Sequence, residues 1–345
     1  MAGPGGILPP RESTVRIRVP SARRVTRGAS LLLAVLLAAC AQERQVWFTP
    51  NLASADMLDL FTRPELWERA RSRVTVFKFY PAQILADETG YPECGPNRLP
   101  NLARVGAFPQ IRAWGLWIAV EVAVIKSWGC QAEVTASVAL EAVARVQANG
   151  GFVRYLALDE PLLGGADCGL TLDESARETA AFVRAVRDEH PAIEVGDIEP
   201  YPAFAAAPLA SWLQALRREQ VPLAFFHVDV DRVRADDLGS DVAADLRSLR
   251  SACRSQGARF GVILWGADGT TEKTYSEDVL DWTRRVGAAV GAPDDTVFQS
   301  WSLSADGVYR VPMNLPENDP AVFSHTRLVN EGLAILDATT RAHAP

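Results

Sequence analysis

Carboxylates stand where several short apolar stretches of this chain end. They are Glu121, Asp159, Glu160, Asp197, Glu199 and Asp229. Carboxyls that share a low-dielectric cleft repel one another as anions, which raises the pKa of at least one of them. A carboxyl with a raised pKa is a proton donor near neutral pH. The pattern therefore indicates general acid–base chemistry, provided that the fold brings these residues together.

Aromatic and cationic residues occupy similar positions in the sequence. Lys78 and Tyr80 lie at the end of the second apolar stretch, and Trp265 and Trp301 are the last residues of the seventh and eighth. An aromatic face packs on the apolar C–H face of a sugar ring, while carboxylates accept hydrogen bonds from its hydroxyls. The sequence therefore predicts a carbohydrate site with contacts from Lys78, Tyr80, Glu121, Asp159, Asp197, Trp265 and Trp301.

One local pattern recurs through the chain from about residue 45 onward: an apolar strand, a polar loop and an amphipathic helix. The predicted strands are 45–49, 74–79, 115–121, 153–159, 193–197, 223–228, 260–265 and 297–301. Apolar residues at three- and four-residue steps predict helices at 135–149, 173–189, 209–219, 240–255, 276–290 and 321–336.

This alternation predicts a (β/α)8 TIM barrel. Strands that start roughly 30–40 residues apart with a helix between them favour parallel pairing. An open, doubly wound sheet is the alternative, but no GxGxxG or P-loop pattern follows the first strand. We therefore expect a barrel without a nucleotide or other cofactor. Its site is expected at the C-terminal ends of the strands, where the carboxylates lie.

The residues Asp159-Glu160-Pro161 resemble the Asn-Glu-Pro signature of the (β/α)8 glycoside hydrolase superfamily. The resemblance implies that Glu160 is a general acid/base, and that Trp301 is a platform for a sugar ring. The chain departs from the superfamily pattern at two points. Asp159 replaces the Asn that contacts the sugar 2-hydroxyl, and the seventh predicted strand has no Glu at its end to act as nucleophile.

The second catalytic carboxyl is therefore expected to be Glu199 or Asp229. Several predicted site residues also have a structural alternative: Asp229 is a candidate for a solvated loop residue or an N-cap, and Trp265 and Trp301 for ordinary packing at the barrel mouth. Glu160 and Glu199 are candidates for capping a following helix, Glu121 for an ion pair with Lys78 or Lys126, and His227 for a core histidine. No Cys or His spacing indicates zinc. The oxygen-only metal site that remains conceivable would use Asp159, Glu160, Glu199 and Asp229.

Charge is distributed unevenly along the chain. Residues 1–39 carry six Arg and one Glu, whereas the remaining chain carries 29 basic and 41 acidic residues. An acidic body disfavours nucleic acid as a partner, because phosphate binding needs a basic face. We expect a neutral or cationic substrate and no nucleic acid.

The N-terminal region has the pattern of an export signal. A basic lead precedes an apolar run over 29–39, which is too short to span a bilayer. Leu37-Ala38-Ala39-Cys40 resembles a bacterial lipobox, which implies cleavage before Cys40 and lipidation of its thiol. The expected organisation is a signal peptide at 1–39 and one barrel domain at 40–345. Because Ala41 follows the cysteine, the resemblance favours the outer membrane in a cell with two membranes.

Four further cysteines are available for disulfides in an exported protein. Cys94 and Cys130 follow consecutive predicted strands, so we expect these two to pair, with Cys168 as the competing partner. Cys253 lies on a predicted helix and is expected to be a buried thiol.

The sequence as a whole predicts an exported, lipid-anchored barrel that hydrolyses or binds a carbohydrate. One alternative is a glycan-binding surface lipoprotein without catalysis. Another is a metal-dependent isomerase, lyase or phosphodiester enzyme on the same scaffold. The segment 312–320, which is rich in Pro, is either part of the cleft or the path into the last helix.

Overall fold

The computed structural model describes residues 44–86, 94–127, 129–300 and 311–342. Eight parallel strands close into a barrel in sequence order, and β1 pairs with β8. The closure confirms the predicted (β/α)8 TIM barrel and excludes the open sheet. The strands lie within one compact unit, Glu43–Pro345. No helix among the described residues combines the length and apolar character needed to cross a membrane.

The strands agree closely with the predicted ones, with one important difference. They are β1 Gln45–Thr49, β2 Val76–Phe79, β3 Trp117–Ala123, β4 Val153–Asp159, β5 Glu194–Tyr201, β6 Phe225–Val230, β7 Arg259–Leu264 and β8 Asp295–Gln299. Strand β5 continues four residues beyond its predicted end at 197. That extension decides which way the carboxylates of β5 face.

Helices connect the strands and cover the outside of the barrel. They are α1 Asp59–Thr62, α2 Glu68–Arg71, α3 Pro81–Leu85, α4 Leu99–Arg104, α5 Ala107–Ala113, α6 Ala132–Ala148, α7 Pro161–Asp167, α8 Leu172–Glu189, α9 Ala206–Arg218, α10 Arg232–Asp237, α11 Val242–Gln256, α12 Glu272–Val290 and α13 His325–Ala342. The six predicted helices correspond to α6, α8, α9, α11, α12 and α13. The short helices were not predicted, since fewer than two turns carry little periodicity.

Side chains fill the barrel because successive residues of a strand face opposite sides. The interior apolar cluster includes Trp47, Tyr155, Ile198 and Phe225, whereas the larger cluster lies between strands and helices. His227 is fully buried, and its Nε2 lies 2.9 Å from Oδ2 of Asp295. The expectation of a core histidine is confirmed.

The segment 312–320 is anchored to neighbouring loops. It contributes no residue to the cavity that opens at the C-terminal ends of the strands. Glu317 accepts hydrogen bonds from the backbone N–H groups of Arg69 and Ala70. Asn314 donates to Asp56, in the loop after β1, over 2.8 Å. The segment is therefore the path into α13, and it supports the β1 loop.

The disulfide joins Cys130 to Cys168, so the expected Cys94–Cys130 pairing is wrong. Cys94 is buried in another place, because the chain after β2 turns toward the β1 loop. There Asn97 donates a hydrogen bond to the carbonyl oxygen of Leu52 over 3.0 Å. Cys253 is a buried thiol on α11, as expected.

Candidate functional site

A cavity of about 490 Å³ opens at the C-terminal ends of the strands. Four of the six carboxylates singled out by the sequence line it, and they come from β3, β6 and the end of β4. The lining residues are Asn51, Leu52, Ala53, Tyr80, Glu121, Asp159, Glu160, Ile198, Asp229 and Gln299. The structure therefore brings together Glu121, Asp159, Glu160 and Asp229, together with Tyr80.

Glu160 occupies an unusual backbone conformation between β4 and α7. Its φ and ψ angles are 52° and 51°, in the left-handed region that residues other than glycine rarely adopt. Its N–H donates to the carbonyl oxygen of Ile198, and its own carbonyl accepts from Gly164. Its carboxyl makes no capping hydrogen bond to α7, which rules out the capping alternative. Strained residues concentrate at functional sites, where surrounding structure maintains them.

The environment of Glu160 is that of a proton donor. Burial raises the pKa of Glu160 to about 7, and the negative charge of Asp159 adds to the effect. Lys126 opposes the rise, with its Nζ 3.7 Å from Oε2 of Glu160. A carboxyl with this pKa is partly protonated at neutral pH and is able to give up its proton.

Lys126 also holds the neighbouring carboxylate. Its Nζ lies 2.8 Å from Oδ2 of Asp159. Burial alone would lower the pKa of Lys126, but Asp159 and Glu160 raise it overall, so the ammonium group stays charged. The sequence suggested Lys126 only as a partner of Glu121. Its position five residues after the predicted strand end gave no signal of a role beside Glu160.

Asp229 and Glu121 are two further carboxyls of the cavity whose pKa is raised, in both cases mainly by burial. Burial raises the pKa of Asp229 to about 6, against the effect of a hydrogen bond from Trp265. That bond joins Nε1 of Trp265 to Oδ1 of Asp229 over 2.6 Å. Trp265 was expected to contact sugar, but it is 2% exposed and does not line the cavity. Trp265 therefore supports Asp229 through this hydrogen bond.

Glu121 is held by a buried cation. Nζ of Lys78 lies 2.5 Å from Oε2 of Glu121 and donates to Oε1 of Gln299 over 2.9 Å. This arrangement confirms the ion-pair alternative with Lys78. Lys78 was expected to contact sugar, but it is 1% exposed and does not line the cavity. Gln299 joins the lining because β8 ends there, beside β1.

Glu199 and Asp197 do not reach the cavity, contrary to expectation. Because β5 continues to Tyr201, these two residues lie within the strand and face the helices, while Ile198 between them faces the barrel interior. Oε1 of Glu199 accepts a hydrogen bond from the N–H of Leu162 on α7. Oδ2 of Asp197 accepts one from Nε1 of Trp212 on α9. Both carboxylates are fully buried and structural.

The position of Glu199 also rules out the metal site that would use Asp159, Glu160, Glu199 and Asp229 together. Asp159, Glu160 and Asp229 share the cavity, but Glu199 lies behind the sheet. Across the described ranges, no group of three or more His, Cys, Asp or Glu side chains is placed to hold a metal ion. Trp301, the expected sugar platform, lies outside the described residues, as does Cys40.

No protein-family model matches the sequence, and no curated protein matches it. Similarity to solved structures is distant. A psychrophilic glycoside hydrolase family 10 endo-β-1,4-xylanase matches 86% of this chain and 98% of its own, with 10% identity and a TM-score of 0.51. A malate synthase from Haloferax volcanii matches 88% of this chain and 74% of its own, with 13% identity and a TM-score of 0.49.

These likenesses concern the fold. At 10% identity, the xylanase shows only that this chain shares the (β/α)8 barrel with it. A (β/α)8 barrel carries many unrelated chemistries, so the fold by itself selects no reaction. The function has to be argued from the cavity and its side chains.

Proposed function

We propose that this protein hydrolyses a glycosidic bond, with Glu160 as the general acid. The observation that carries the proposal is that Glu160, with a pKa of about 7, shares one cavity with Asp229, whose pKa is about 6. At a pH between these two pKa values, Asp229 is mostly ionised while Glu160 is mostly protonated. A glycosidase needs one ionised and one protonated carboxyl of this kind.

The two carboxyls have distinct tasks in this mechanism. Glu160 gives its proton to the oxygen of the departing sugar, because an alkoxide is a poor leaving group. Asp229 either activates a water molecule or attacks the anomeric carbon, depending on the space between the carboxyls. Trp265 donates a hydrogen bond to Asp229, which stabilises its anionic form.

The cavity lining favours a neutral or cationic sugar. Carboxylates, the amides of Asn51 and Gln299 and the hydroxyl of Tyr80 are available to sugar hydroxyls. Leu52 and Ile198 offer apolar surface. Neither lysine of the site lines the cavity, since Lys78 is buried behind Glu121 and Lys126 lies behind Asp159. An anionic sugar would therefore find no cation on the lining and would be repelled by Asp229, which is mostly ionised at pH 7.

Export and membrane anchoring through Cys40 form part of the same proposal. Their support is the basic lead, the short apolar run and the lipobox-like Leu37-Ala38-Ala39-Cys40. Lipid chains on Cys40 would attach the barrel to the surface of a membrane in the cell envelope, and to the outer membrane where there are two. Metabolic labelling with a radioactive fatty acid tests this part, because Cys40→Ala abolishes the label if it is correct.

A second candidate function is glycan binding without hydrolysis. The observation in its favour is that β7 ends at Leu264, followed by Trp265, and supplies no carboxylate of its own. Glu160 also lies close to a lysine, as it would in a purely structural pair. In this case the cavity retains affinity for a glycan, but the carboxyls move no proton.

Hydrolysis of a panel of 4-methylumbelliferyl glycosides distinguishes the two functions. The panel includes neutral, amino and uronic sugars, with release of the fluorophore as the signal. We expect turnover of a neutral or amino glycoside. On the corresponding oligosaccharide, whose leaving group is an alkoxide, Glu160→Gln should lose at least about 100-fold in rate, whereas the loss on the 4-methylumbelliferyl glycoside should be smaller because its phenolate needs less acid assistance. Glu277→Gln, at an exposed ion pair on α12, is the matched control. Binding of oligosaccharides without turnover by the wild-type protein would support the binding protein instead.

A further inference from the structure

A tight turn carries Lys126 at the edge of the cavity. The N–H of Lys126 donates to the carbonyl oxygen of Gly129 over 3.2 Å, and the N–H of Gly129 donates back over 2.7 Å. Cys130 follows this turn directly. The backbone of Lys126 is therefore fixed by its own turn, which leads directly into a disulfide-bonded residue.

The disulfide connects this turn to the helix that begins after Glu160. Cys168 directly follows α7, which starts at Pro161. The sulfur atoms of Cys130 and Cys168 lie 3.6 and 3.5 Å from the carbonyl oxygen of Lys126. The disulfide thus joins the turn that carries Lys126 to the end of the helix that follows Glu160.

Close packing strengthens the same connection. A Cβ atom at Gly164 of α7 would lie 1.8 Å from the carbonyl oxygen of Ile125, so only glycine permits this approach. Ile125 precedes Lys126 in the chain. Helix α7 and the Lys126 turn are therefore in direct contact, and the disulfide prevents them from separating.

We propose that Lys126 and the Cys130–Cys168 disulfide form one positioning unit that holds the carboxyls of Asp159 and Glu160 in their catalytic arrangement. The inference rests on the proposed role of Glu160 as proton donor. Lys126 is a positioning residue, since it acts through the two carboxyls and does not line the cavity. Reduction of the disulfide then loosens the site as well as the fold.

The charges around Glu160 explain why the position of Lys126 matters. Among the described residues, the charged groups that act on Glu160 are a lysine and several carboxyls, which reach it from β3, β4, β5, β6 and the turn after β3. These groups are Lys126, Glu121, Asp159, Asp197, Glu199 and Asp229. The ammonium of Lys126 stabilises the Glu160 anion, so a displaced Lys126 raises the pKa of Glu160.

Titration of Glu160 by NMR tests the proposal without a substrate. The protein is labelled with ¹³C at the glutamate side-chain carboxyls, and the signal of Glu160 is the one missing from Glu160→Gln. We expect the pKa of Glu160 to rise by about one unit in Lys126→Met. Lys126→Arg retains the cation and should keep the wild-type titration. Lys273→Met, at an exposed ion pair on α12, is the matched control and should also keep it.

The disulfide is tested in two independent ways. One is the double variant Cys130→Ala with Cys168→Ala. The other is treatment of the folded wild-type protein with a water-soluble phosphine. The phosphine takes oxygen from water and becomes a phosphine oxide, while the two sulfurs each gain a hydrogen as thiols. We expect both treatments to raise the pKa of Glu160, and the phosphine to change nothing in the double variant. If the double variant does not fold, the reduced wild-type protein provides the result.

An unchanged titration of Glu160 in Lys126→Met would overturn the proposal. A rise in Lys126→Met without any rise after reduction would overturn the role of the disulfide. The result is separate from the proposed function, because the titration needs no turnover. A protein that hydrolyses no glycoside but shows the shifts contradicts the function alone. A glycosidase that depends on Glu160 but shows no shifts contradicts this inference alone.

Discussion

Nε1 of Trp265 donates a 2.6 Å hydrogen bond to Oδ1 of Asp229, joining the end of β7 to β6. The aromatic residue after β7 thus supports a carboxylate on the neighbouring strand. Arg232 holds Trp265 in turn, since its Nη1 donates to the carbonyl oxygen of Trp265 over 2.9 Å. The absence of Glu from 265–268 is therefore compatible with a pair of carboxyls, because Asp229 of β6 is available as the second one.

Replacing Trp265 with Phe removes this donor and keeps an aromatic ring. The hydrogen bond lowers the pKa of Asp229, so its loss should raise that pKa by about one unit. The acid limb of kcat/KM then moves to higher pH. Trp282→Phe is the matched control, because Nε1 of Trp282 donates to the carbonyl oxygen of Ile263, away from the carboxyls. The account is contradicted if both variants keep the wild-type acid limb.

The ion pair of Lys78 and Glu121 predicts a strong dependence of stability on both partners. Lys78→Met leaves the Glu121 carboxylate without its buried cation, and we expect the free energy of unfolding to fall by about 3–5 kcal/mol. The double variant Lys78→Met with Glu121→Gln should recover much of that loss. Urea denaturation at pH 7 measures the cycle.

An exposed ion pair supplies the comparison. Arg73 and Asp337 lie 2.8 Å apart with both side chains more than a third exposed. The free energy of unfolding should change by less than about 1 kcal/mol when both are neutralised. Equal losses at the two pairs would show that the Lys78–Glu121 pair is not the buried interaction described above.

Glu199 predicts how stability depends on pH. Burial raises the pKa of Glu199 well above its ordinary value, and Asp197 adds to the effect. The folded protein therefore holds a proton that the unfolded chain releases above about pH 4.3. This contribution to stability is present below that pH and is lost as the pH rises toward the folded-state pKa. The variant Glu199→Gln should not show this loss of stability at higher pH.

Thermal unfolding at pH 4.5 and pH 8 measures this effect. The Tm of Glu199→Gln relative to wild type should be higher at pH 8 than at pH 4.5. His227 has a lowered pKa and opposes this trend, but it is present in both proteins and cancels in the difference. Glu133→Gln, exposed on α6, should show no such dependence. A relative Tm for Glu199→Gln that is the same at both pH values would contradict the burial of a protonated Glu199.

The close contact of Gly164 with Ile125, behind Glu160, predicts that this position tolerates no side chain. Gly164→Ala forces α7 away from Ile125, and we expect the free energy of unfolding to fall by about 1–3 kcal/mol. Ala166→Ser, on the exposed side of the same helix, should be near neutral. Chemical denaturation compares the two variants. Wild-type stability in Gly164→Ala would mean that α7 does not pack as closely as described.

The barrel was predictable because its signals are local. Each strand of four to eight residues lies between polar loops, and each long helix carries its apolar residues on one face. Parallel pairing then follows from the spacing between strands. The rule that places a barrel's site at the strand ends correctly predicted that Glu121, Asp159, Glu160 and Asp229 would share a cavity.

The errors came from features that no local pattern encodes. Asp197 and Glu199 were misplaced because β5 runs four residues past its predicted end, which turns its carboxylates toward the helices. The disulfide depends on which loops meet in space, and the chain after β2 turns toward the β1 loop. Lys126 was recognised only when the structure placed its ammonium group between two carboxylates.

The pH profile of kcat/KM, measured with a glycoside that the wild-type protein hydrolyses, tests the central claim most directly. Because Asp229 must be ionised, kcat/KM should rise as the pH increases through about 6. Because Glu160 must be protonated, kcat/KM should fall as the pH increases through about 7. Asp229→Asn should lack the acid limb and Glu160→Gln the alkaline limb, each with greatly reduced activity. Wild-type activity with both limbs intact in Glu160→Gln would contradict the account.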